Sequence, residues 1–133
     1  MRYLLDTNIL IAGLKGAPGV RQKLEVLPST DLVLSPIVLG ELEVGAGKSA
    51  HPAKNHARLA ALIQGLPVEA LDANTSHHYG RIRAELECKG TPIGNNDLWI
   101  AAHALALEAT VVTDNERAFS RVSGLTVENW LRW

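Results

Sequence analysis

Four acidic residues stand where the sequence predicts that strands end or helices begin, each within an otherwise apolar stretch. They are Asp6, Glu41, Asp97 and Asp114. In α/β sheets, ligands bind outside the carboxyl ends of parallel strands, because side chains converge there. Several carboxylates in one cleft repel each other and resist ionisation unless a divalent cation neutralises them. The four residues therefore predict a single metal-binding pocket.

The ligand types indicate which metal such a pocket would bind. Carboxylate oxygens are hard ligands, and the sequence lacks the Cys and His spacings of zinc sites, which favours Mg²⁺ or Mn²⁺. Cys88, the only cysteine, is expected to be a packing residue. Ions of this kind commonly serve phosphoryl chemistry, in which they bind a phosphate oxygen and lower the pKa of bound water. The acidic residues therefore favour a nuclease.

The first two carboxylates also have simpler structural explanations. Asp6 follows the apolar residues 3–5 and is equally suited to cap the next helix. Glu41 lies on an apolar helix face, between Val38 and Val44, where an unpaired buried charge is costly. Glu41 is therefore expected to contact a metal, or else to form a salt bridge with a nearby Lys or Arg.

Asp97 stands in the first turn of a predicted helix that has almost no polar face. An acid there stabilises a helix by roughly 0.3–1 kcal/mol through the helix dipole. Asn95 and Asn96 already offer caps, so a further polar residue favours a functional role for Asp97. Asp114 ends a β-branched strand and, taken alone, is an ordinary turn residue. Three more polar residues are candidates to orient water or a carboxylate, or merely to cap backbone groups. They are Thr7, Asn8 and Thr113.

Strands and helices alternate along the chain. Strands are predicted at residues 3–6, 31–34, 68–71, 110–113 and 125–127. Helices are predicted at residues 17–27, 36–47, 53–65, 75–89, 95–108 and 116–121. Strands separated by helices imply parallel βαβ units. The expected fold is α/β, with three layers (α/β/α) and a mostly parallel central sheet.

Composition limits the cell compartment and the binding partners. The chain has 133 residues, a length that predicts one domain over residues 1–133. No apolar run approaches the roughly 20 residues that span a bilayer, and the N-terminal run is too short for a signal peptide. A cytoplasmic protein without membrane contact is therefore expected. The net charge of −1 restricts any nucleic-acid contact to local basic clusters. The candidates are Lys48, Lys54 and Arg58, and separately Arg81, Arg83 and Lys89.

Several blocks of the sequence, in order and covering nearly the whole chain, resemble the PIN-domain ribonucleases of the VapC toxin type. They are Asp-Thr-Asn at 6–8, Glu-Leu at 41–42 inside a helix from 36 to 49, residues 93–104, and residues 112–115 followed by Phe119 and 127–130. The resemblance implies a compact α/β/α PIN domain, Mg²⁺-dependent endoribonuclease activity with Mn²⁺ as a plausible substitute, homodimerisation, and neutralisation by a VapB-like antitoxin.

The resemblance also implies roles for individual residues. By motif position, Asp6, Glu41 and Asp97 match the family's three acids. The fourth position is open, because many relatives carry the acid or amide where this chain has Asn115, whereas the acid here is Asp114. The block around Asp97 is most similar to toxins that cut tRNA in the anticodon region. The RNA substrate is therefore expected to be tRNA.

Other protein classes fit the sequence less well. Haloacid-dehalogenase-type phosphatases need a second Asp two residues after the first, and this chain has Asn8 there. Response-regulator receiver domains need an acid after a central strand, which is followed here by Ser35 and Pro36. The non-enzyme alternative is a catalytically silent PIN-like module that binds RNA or a protein.

The aromatic residues and one histidine receive structural interpretations. Trp99 and Trp130 are expected to pack in the core rather than to stack on bases, and Trp133 is interpreted simply as the terminal residue. His103 is expected to be buried and hydrogen-bonded.

Overall fold

A computed structural model describes residues 1–132; Trp133 lies outside the described residues. The strands of this range are β1 (Tyr3–Leu5), β2 (Leu32–Val33), β3 (Thr110–Val112) and β4 (Val127–Glu128). The helices are α1 (Thr7–Leu14), α2 (Pro18–Val26), α3 (Pro36–Gly47), α4 (Pro52–Ile63), α5 (Ala73–Cys88), α6 (Asn95–Leu107) and α7 (Glu116–Phe119). A short 3₁₀ turn at Ser29–Asp31 precedes β2.

The strands form one parallel sheet in the order β2-β1-β3-β4. Leu4 pairs with Val33 on one side and with Val111 on the other. Successive side chains of a strand point to opposite faces, and Leu4 and Leu5 are both buried, as are Val111 and Val112. Both faces of the sheet are therefore covered, which confirms the predicted α/β fold and places all four carboxyl ends at one edge.

The helices begin where the sequence supplies caps. The Ser35 hydroxyl accepts a hydrogen bond from the Ile37 amide at 3.3 Å, and Pro36 occupies the first helical position of α3, as predicted. Asp72 and Thr75 form a capping box, so α5 begins two residues before its predicted start.

Two stretches differ from the prediction. The expected strand at 68–71 is reduced to a bridge between Leu34 and Val68, because the chain turns into the Asp72 cap of α5 and leaves Val68 53% exposed. Helix α1 was not among the predicted helices, because residues 9–11 are an apolar run without a helical period, although Asp6 was considered as the cap of a helix that follows it. Tight packing defines that helix: a Cβ on Gly13 would lie 3.1 Å from the Val20 side chain of α2.

Helix α6 is buried, as predicted, and carries one unexpected polar group. His103 is 0% exposed, and its ring has only a weak contact with the Ala70 backbone, short of full hydrogen-bond geometry within residues 1–132, so the predicted hydrogen bond is present only in this weak form. Trp130 is buried, while Trp99 is half-buried and stacks on Tyr79 with ring centroids 3.8 Å apart. Cys88 is exposed rather than packed. Over the described residues, no helix combines the length and the apolar character needed to cross a membrane.

Candidate active site

The centre of the site lies where β1 and β3 end side by side. Asp6 follows β1 and Thr113 follows β3, and both side chains are buried. The Thr113 hydroxyl donates a hydrogen bond to Asp6 Oδ2 at 2.7 Å. The Asp6 amide donates to the Val112 carbonyl at 2.9 Å, which aligns the two strand ends. The parallel pairing of these strands therefore brings together two residues that are 107 positions apart.

Asp6 both caps a helix and belongs to the site. Its Oδ1 accepts a hydrogen bond from the Thr7 amide at 2.8 Å at the start of α1, and its Oδ2 accepts from Asn8 Nδ2 at 3.1 Å. Burial raises the pKa of the Asp6 carboxyl above its usual value; these hydrogen bonds and the one from Thr113 oppose the shift, and the charge of Glu41 adds to it. The carboxylate is thus held in place by neighbours that favour its charged form.

Glu41 enters the site from α3 and is half-buried. Its Oε1 accepts a hydrogen bond from the Thr7 hydroxyl at 2.8 Å. None of the ion pairs within residues 1–132 involves Glu41, so the salt bridge considered as its structural role does not form there.

Asp97 lies in the first turn of α6, on the far side of the same cluster. Burial raises the pKa of its carboxyl to about 6, and the negative charges of Asp6 and Glu41 contribute to the increase. A Cβ on Gly94 would lie 3.7 Å from Asp97 Oδ2, so the loop before α6 lies close against the carboxylate. The structure thus brings three of the predicted acids, from β1, α3 and α6, close enough to repel one another.

At the fourth position two adjacent side chains point to different neighbours. Asn115 Nδ2 donates a long hydrogen bond of 3.4 Å to Asp97 Oδ2. Asp114 is exposed, and its Oδ1 accepts from Asn129 Nδ2 at 3.0 Å. The contacts therefore favour Asn115 at the acid cluster, while a metal-binding role for Asp114 stays a prediction.

Sequence reasoning did not select Asn129 as a site residue. It follows β4, the last strand of the parallel sheet, at the same edge as Asp6 and Thr113. The rule that selected Asp6 also applies to Asn129, because both side chains follow the carboxyl end of a parallel strand. Asn129 was missed because β4 has only two residues and gives no long apolar run before it in the sequence.

The donor chemistry of the cluster fits a hard divalent cation. Three carboxylates supply oxygen ligands. Burial raises the pKa of Asp97 most and the charges of Asp6 and Glu41 raise it further, and a bound cation would oppose both effects. Both oxygens of Asp6 already accept hydrogen bonds from the protein. Within the described part of the chain, no three acidic, His or Cys side chains are spaced as a finished metal site. A cation would therefore have to draw the carboxylates together.

An open groove of about 430 Å³ adjoins Glu41 between α1, α3 and α4. Its lining is mostly apolar, with two cations and a few polar groups. The lining includes Ile11, Leu14, Lys15, Leu42 and Arg58.

The chain resembles known proteins over its full length. Residues 3–125 match the PIN domain family. Ribonuclease VapC2 of Rickettsia felis is 41% identical over 132 residues, covering 98% of both chains. The tRNA(fMet)-specific endonuclease VapC of Salmonella typhimurium is 40% identical over 131 residues, again covering 98% of both chains.

Solved structures of VapBC complexes also resemble this chain. The crystal structure of VapBC2 from Rickettsia felis bound to a DNA fragment from their promoter contains a chain that superposes with a TM-score of 0.91 at 40% identity, covering 98% of this chain and 99% of that one. DNA-bound VapBC from Salmonella typhimurium also gives a TM-score of 0.91, at 39% identity and 98% coverage of both chains. The chain therefore belongs to the PIN domain family, and within it to the VapC ribonucleases.

Proposed function

We propose that this protein is a Mg²⁺-dependent endoribonuclease that acts as the toxin of a VapBC toxin–antitoxin pair and cleaves tRNA. The observation that carries the proposal is the convergence of Asp6, Glu41 and Asp97, where burial and the charges of the other two acids together raise the pKa of Asp97 to about 6. A carboxylate cluster of this kind is costly to ionise unless it serves a cation. The relatives named ribonuclease and endonuclease supply the reaction class.

The chain's own residues prepare the site for this reaction. Asp6, Asp97 and Glu41 would hold the cation, with Mn²⁺ as a substitute for Mg²⁺ and with Asp114 or Asn115 completing the set. When bound, the cation supplies Lewis-acid activation of the phosphodiester and of water. Water attacks phosphorus in line, the P–O3′ bond breaks, and the products carry a 5′-phosphate and a 3′-hydroxyl.

Hydrogen-bond donors keep the carboxylates oriented for that role. Thr113 and Asn8 hold Asp6, and Thr7 holds Glu41. These side chains therefore orient ligating groups, which is one of the two roles considered for them. Ligands held in place by neighbouring hydrogen bonds bind metals and substrates with less loss of freedom.

Basic side chains that form no ion pair within the protein are the ones available to contact the RNA backbone. Arg81 and Lys89 form ion pairs with Glu85, and Arg83 pairs with Glu87, so this predicted cluster is largely neutralised. The ion pairs within residues 1–132 leave the other cluster unpaired. It consists of Lys48, Lys54 and Arg58. Phosphate contacts are therefore assigned to the α3–α4 side of the site.

The substrate class rests on a relative. The Salmonella typhimurium protein is named a tRNA(fMet)-specific endonuclease and is 40% identical to this chain over almost its full length. We extend tRNA, and a cytoplasmic location where tRNA is found, to this protein. Sequencing the RNA ends produced after brief expression tests this assignment, and cuts spread evenly over unrelated RNAs would contradict it.

The partner is a VapB-like antitoxin whose chemistry follows from the groove beside Glu41. The solved relatives are VapBC assemblies, which supports such a partner here. Leu42 of α3 lines the groove, whereas Val38 of the same helix is fully buried and Val44 does not line it. The groove offers apolar contacts to a docked segment. A basic side chain of that segment would replace the cation's charge among the carboxylates without activating water.

The two ends of the groove carry opposite charges, with the acid near the amino end of α1 and the basic residues near its carboxyl end. Thr7 at the amino end of α1 contacts Glu41, whereas Lys15 and Arg58 lie at its carboxyl end, where Arg58 donates to the Leu14 carbonyl at 3.3 Å. A helix of this length spans about 12 Å. The antitoxin segment should therefore carry a basic residue at the Glu41 end, apolar residues in the middle and an acidic residue at the Arg58 end.

Metal-dependent cleavage separates an enzyme from a silent PIN-like module. Purified protein is incubated with tRNA in EDTA, then in Mg²⁺ or Mn²⁺, and the toxin is expected to cleave only with metal. Absence of cleavage in both metals, by a folded protein free of antitoxin, would favour the silent module. Sedimentation of the same sample tests the proposed homodimer.

A further inference from the structure

Asn129 connects the C-terminal segment to the turn that carries the fourth site position. We propose that Asn129 is a positioning residue: it holds the 113–116 turn so that the Asn115 amide reaches Asp97. On this proposal Asp114 serves as the anchor of the turn rather than as the group that faces the cluster. The inference rests on the proposed nuclease function and names a residue that acts through another.

The Asn129 amide bridges two carboxylates of the turn. Its Nδ2 lies 3.0 Å from Asp114 Oδ1 and 3.3 Å from Glu116 Oε2, and an amide nitrogen has two protons to donate. The Leu131 amide donates to Asn129 Oδ1 at 2.9 Å, which requires the carbonyl to face Leu131 and the NH₂ group to face the acids. The orientation of the amide is therefore determined by its partners.

The inner side of the same turn is held by residues that bind Asp6. The Asp114 backbone amide donates to Asn8 Oδ1 at 2.9 Å, and the Asn115 amide donates to Thr113 Oγ1 at 2.9 Å. Asn8 and Thr113 in turn donate to Asp6 Oδ2. The turn is thus clamped between Asn129 on the outside and the Asp6 cluster on the inside.

The turn held by Asn129 is exposed, whereas the residue next to Asn129 is buried. Asp114 and Asn115 are both exposed, and α7, which follows them, has only four residues. Asn129 precedes Trp130, whose buried ring lies 5.5 Å from the ring of Tyr3 at the start of β1. Asn129 therefore links the packed Trp130–Tyr3 contact to an exposed turn. The reach from Asn115 to Asp97 is already long at 3.4 Å, so a small shift of the turn would break it.

The decisive variant is Asn129→Asp, compared with Asn129→Ala. Aspartate keeps the shape of the side chain and the acceptor for the Leu131 amide, so a role limited to holding the Leu131 backbone predicts that it is the milder change. Positioning predicts the opposite, because aspartate cannot donate and adds a third negative charge beside Asp114 and Glu116. We expect Asn129→Asp to lower kcat at saturating Mn²⁺ by roughly 10-fold or more, with KM for tRNA little changed.

Arg132→Ala is the matched control. Arg132 is an exposed residue of the same segment and contacts Glu116 at 3.3 Å, but it does not contact Asp114. Its loss should leave kcat at the wild-type value. Within the turn, Asn115→Ala should lower kcat more than Asp114→Asn, since the amide introduced by the latter change keeps a carbonyl oxygen that accepts a hydrogen bond from Asn129. The reverse ranking would overturn the anchor role of Asp114.

A second measurement is independent of cleavage. In metal-free protein, the ¹H–¹⁵N side-chain signals of Asn115 should shift in Asn129→Asp and stay in place in Arg132→Ala. Unchanged Asn115 signals together with wild-type kcat in Asn129→Asp would overturn the proposal. If the wild-type protein cleaves no RNA, the proposed function fails, and the Asn115 signals still decide whether Asn129 positions the turn.

Discussion

The Thr7 hydroxyl donates a 2.8 Å hydrogen bond to Glu41 Oε1, joining the first turn of α1 to the middle of α3. Asp6 caps α1 at its first residue, Thr7, and so fixes where the helix begins. The position of Glu41 therefore depends on that of Asp6 through Thr7. The bond is between a neutral donor and a carboxylate, a class that contributes more than a neutral pair. Glu41 thus lies in the site through a local feature of α1 as well as through its own helix.

Replacing Thr7 tests this link. Thr7→Val keeps the shape but removes the donor, whereas Thr7→Ser keeps the hydroxyl. The valine variant is expected to lose roughly 10-fold in kcat/KM for RNA, corresponding to about 1.5 kcal/mol for a hydrogen bond to a charged group. The serine variant should stay near wild type. Equal activity of the two variants would show that the Thr7 hydroxyl does not orient Glu41.

Neutralising the central acids should separate activity from stability. Asp6→Asn and Asp97→Asn are each expected to abolish cleavage and toxicity, because each removes a charge that would hold the cation. The fold should persist in both variants, and Asp97→Asn should be the more stable one, because it reduces the repulsion among the acids without removing the acceptors of Asp6. Mg²⁺ should raise the melting temperature of the wild type by mass action, and much less that of the double variant. Full activity of Asp97→Asn would contradict the site.

The stability of the metal-free protein should depend on pH through Asp97. The folded pKa of about 6 lies above the ordinary value of 3.8, so the folded state binds this proton more tightly than the unfolded state. The resulting stabilisation is complete below about pH 4 and is lost as pH rises through about 6. After allowing for solvent screening of a half-buried group, the loss should be about 1–2 kcal/mol.

Urea unfolding in EDTA at pH 4.5 and 7.5 measures this effect. The wild type should lose more unfolding free energy between these two pH values than Asp97→Asn, which cannot titrate at that position. Asp6, whose pKa is also raised, contributes with the same sign in both proteins. Identical pH profiles for the two proteins would show that the pKa of Asp97 is not raised in the folded state.

The groove assignment predicts a variant that escapes its antitoxin. Ile11 lines the groove and is 39% exposed, so Ile11→Asp should leave the fold intact while placing a charge in the apolar contact. Binding to the co-encoded antitoxin should weaken by at least about 10-fold, and RNA cleavage by the free toxin should persist. Val26→Asp is the control, because Val26 is 67% exposed on α2 and does not line the groove. Equal binding by both variants would place the antitoxin elsewhere.

His103 predicts a stabilising substitution. Its buried ring nitrogens make no full hydrogen bond within the described chain, only a weak contact with the Ala70 backbone, and an unsatisfied buried polar group costs about 1–3 kcal/mol. His103→Leu should therefore raise the unfolding free energy by about 1–2 kcal/mol at pH 7. Replacement of the exposed His77 by Ala should have little effect. A loss of stability in His103→Leu would mean that the ring makes polar contacts.

The advantage of His103→Leu should grow in acid. Burial lowers the pKa of the His103 ring below 6.5, so the unfolded state takes up the proton first as pH falls. The neutral ring's contribution to stability is present above about pH 6.5 and is lost below it. Comparing the two proteins at pH 7.5 and 5.5 measures the difference.

Much of this protein can be obtained from its sequence because the informative signals are local. The Ser35–Pro36 cap, the apolar helix around Asp97 and the β-branched residues before Thr113 depend on near neighbours, and each predicted its element to within a few residues. The acids Asp6, Glu41 and Asp97 could be selected because a charge in an apolar stretch needs an explanation. Motif order was enough to indicate the family.

Only the tertiary structure decided which side chains meet. Asp114 and Asn115 are adjacent and chemically similar, and their different partners, Asn129 and Asp97, depend on how the turn leaves β3. The weak polar contact of His103 with the Ala70 backbone depends on the chain packed over α6, which no local pattern describes. The short strand β4 carries little signal of its own, yet pairing in the sheet brings Asn129 to the site edge. Such contacts join residues far apart in sequence, so sheet pairing and packing establish them.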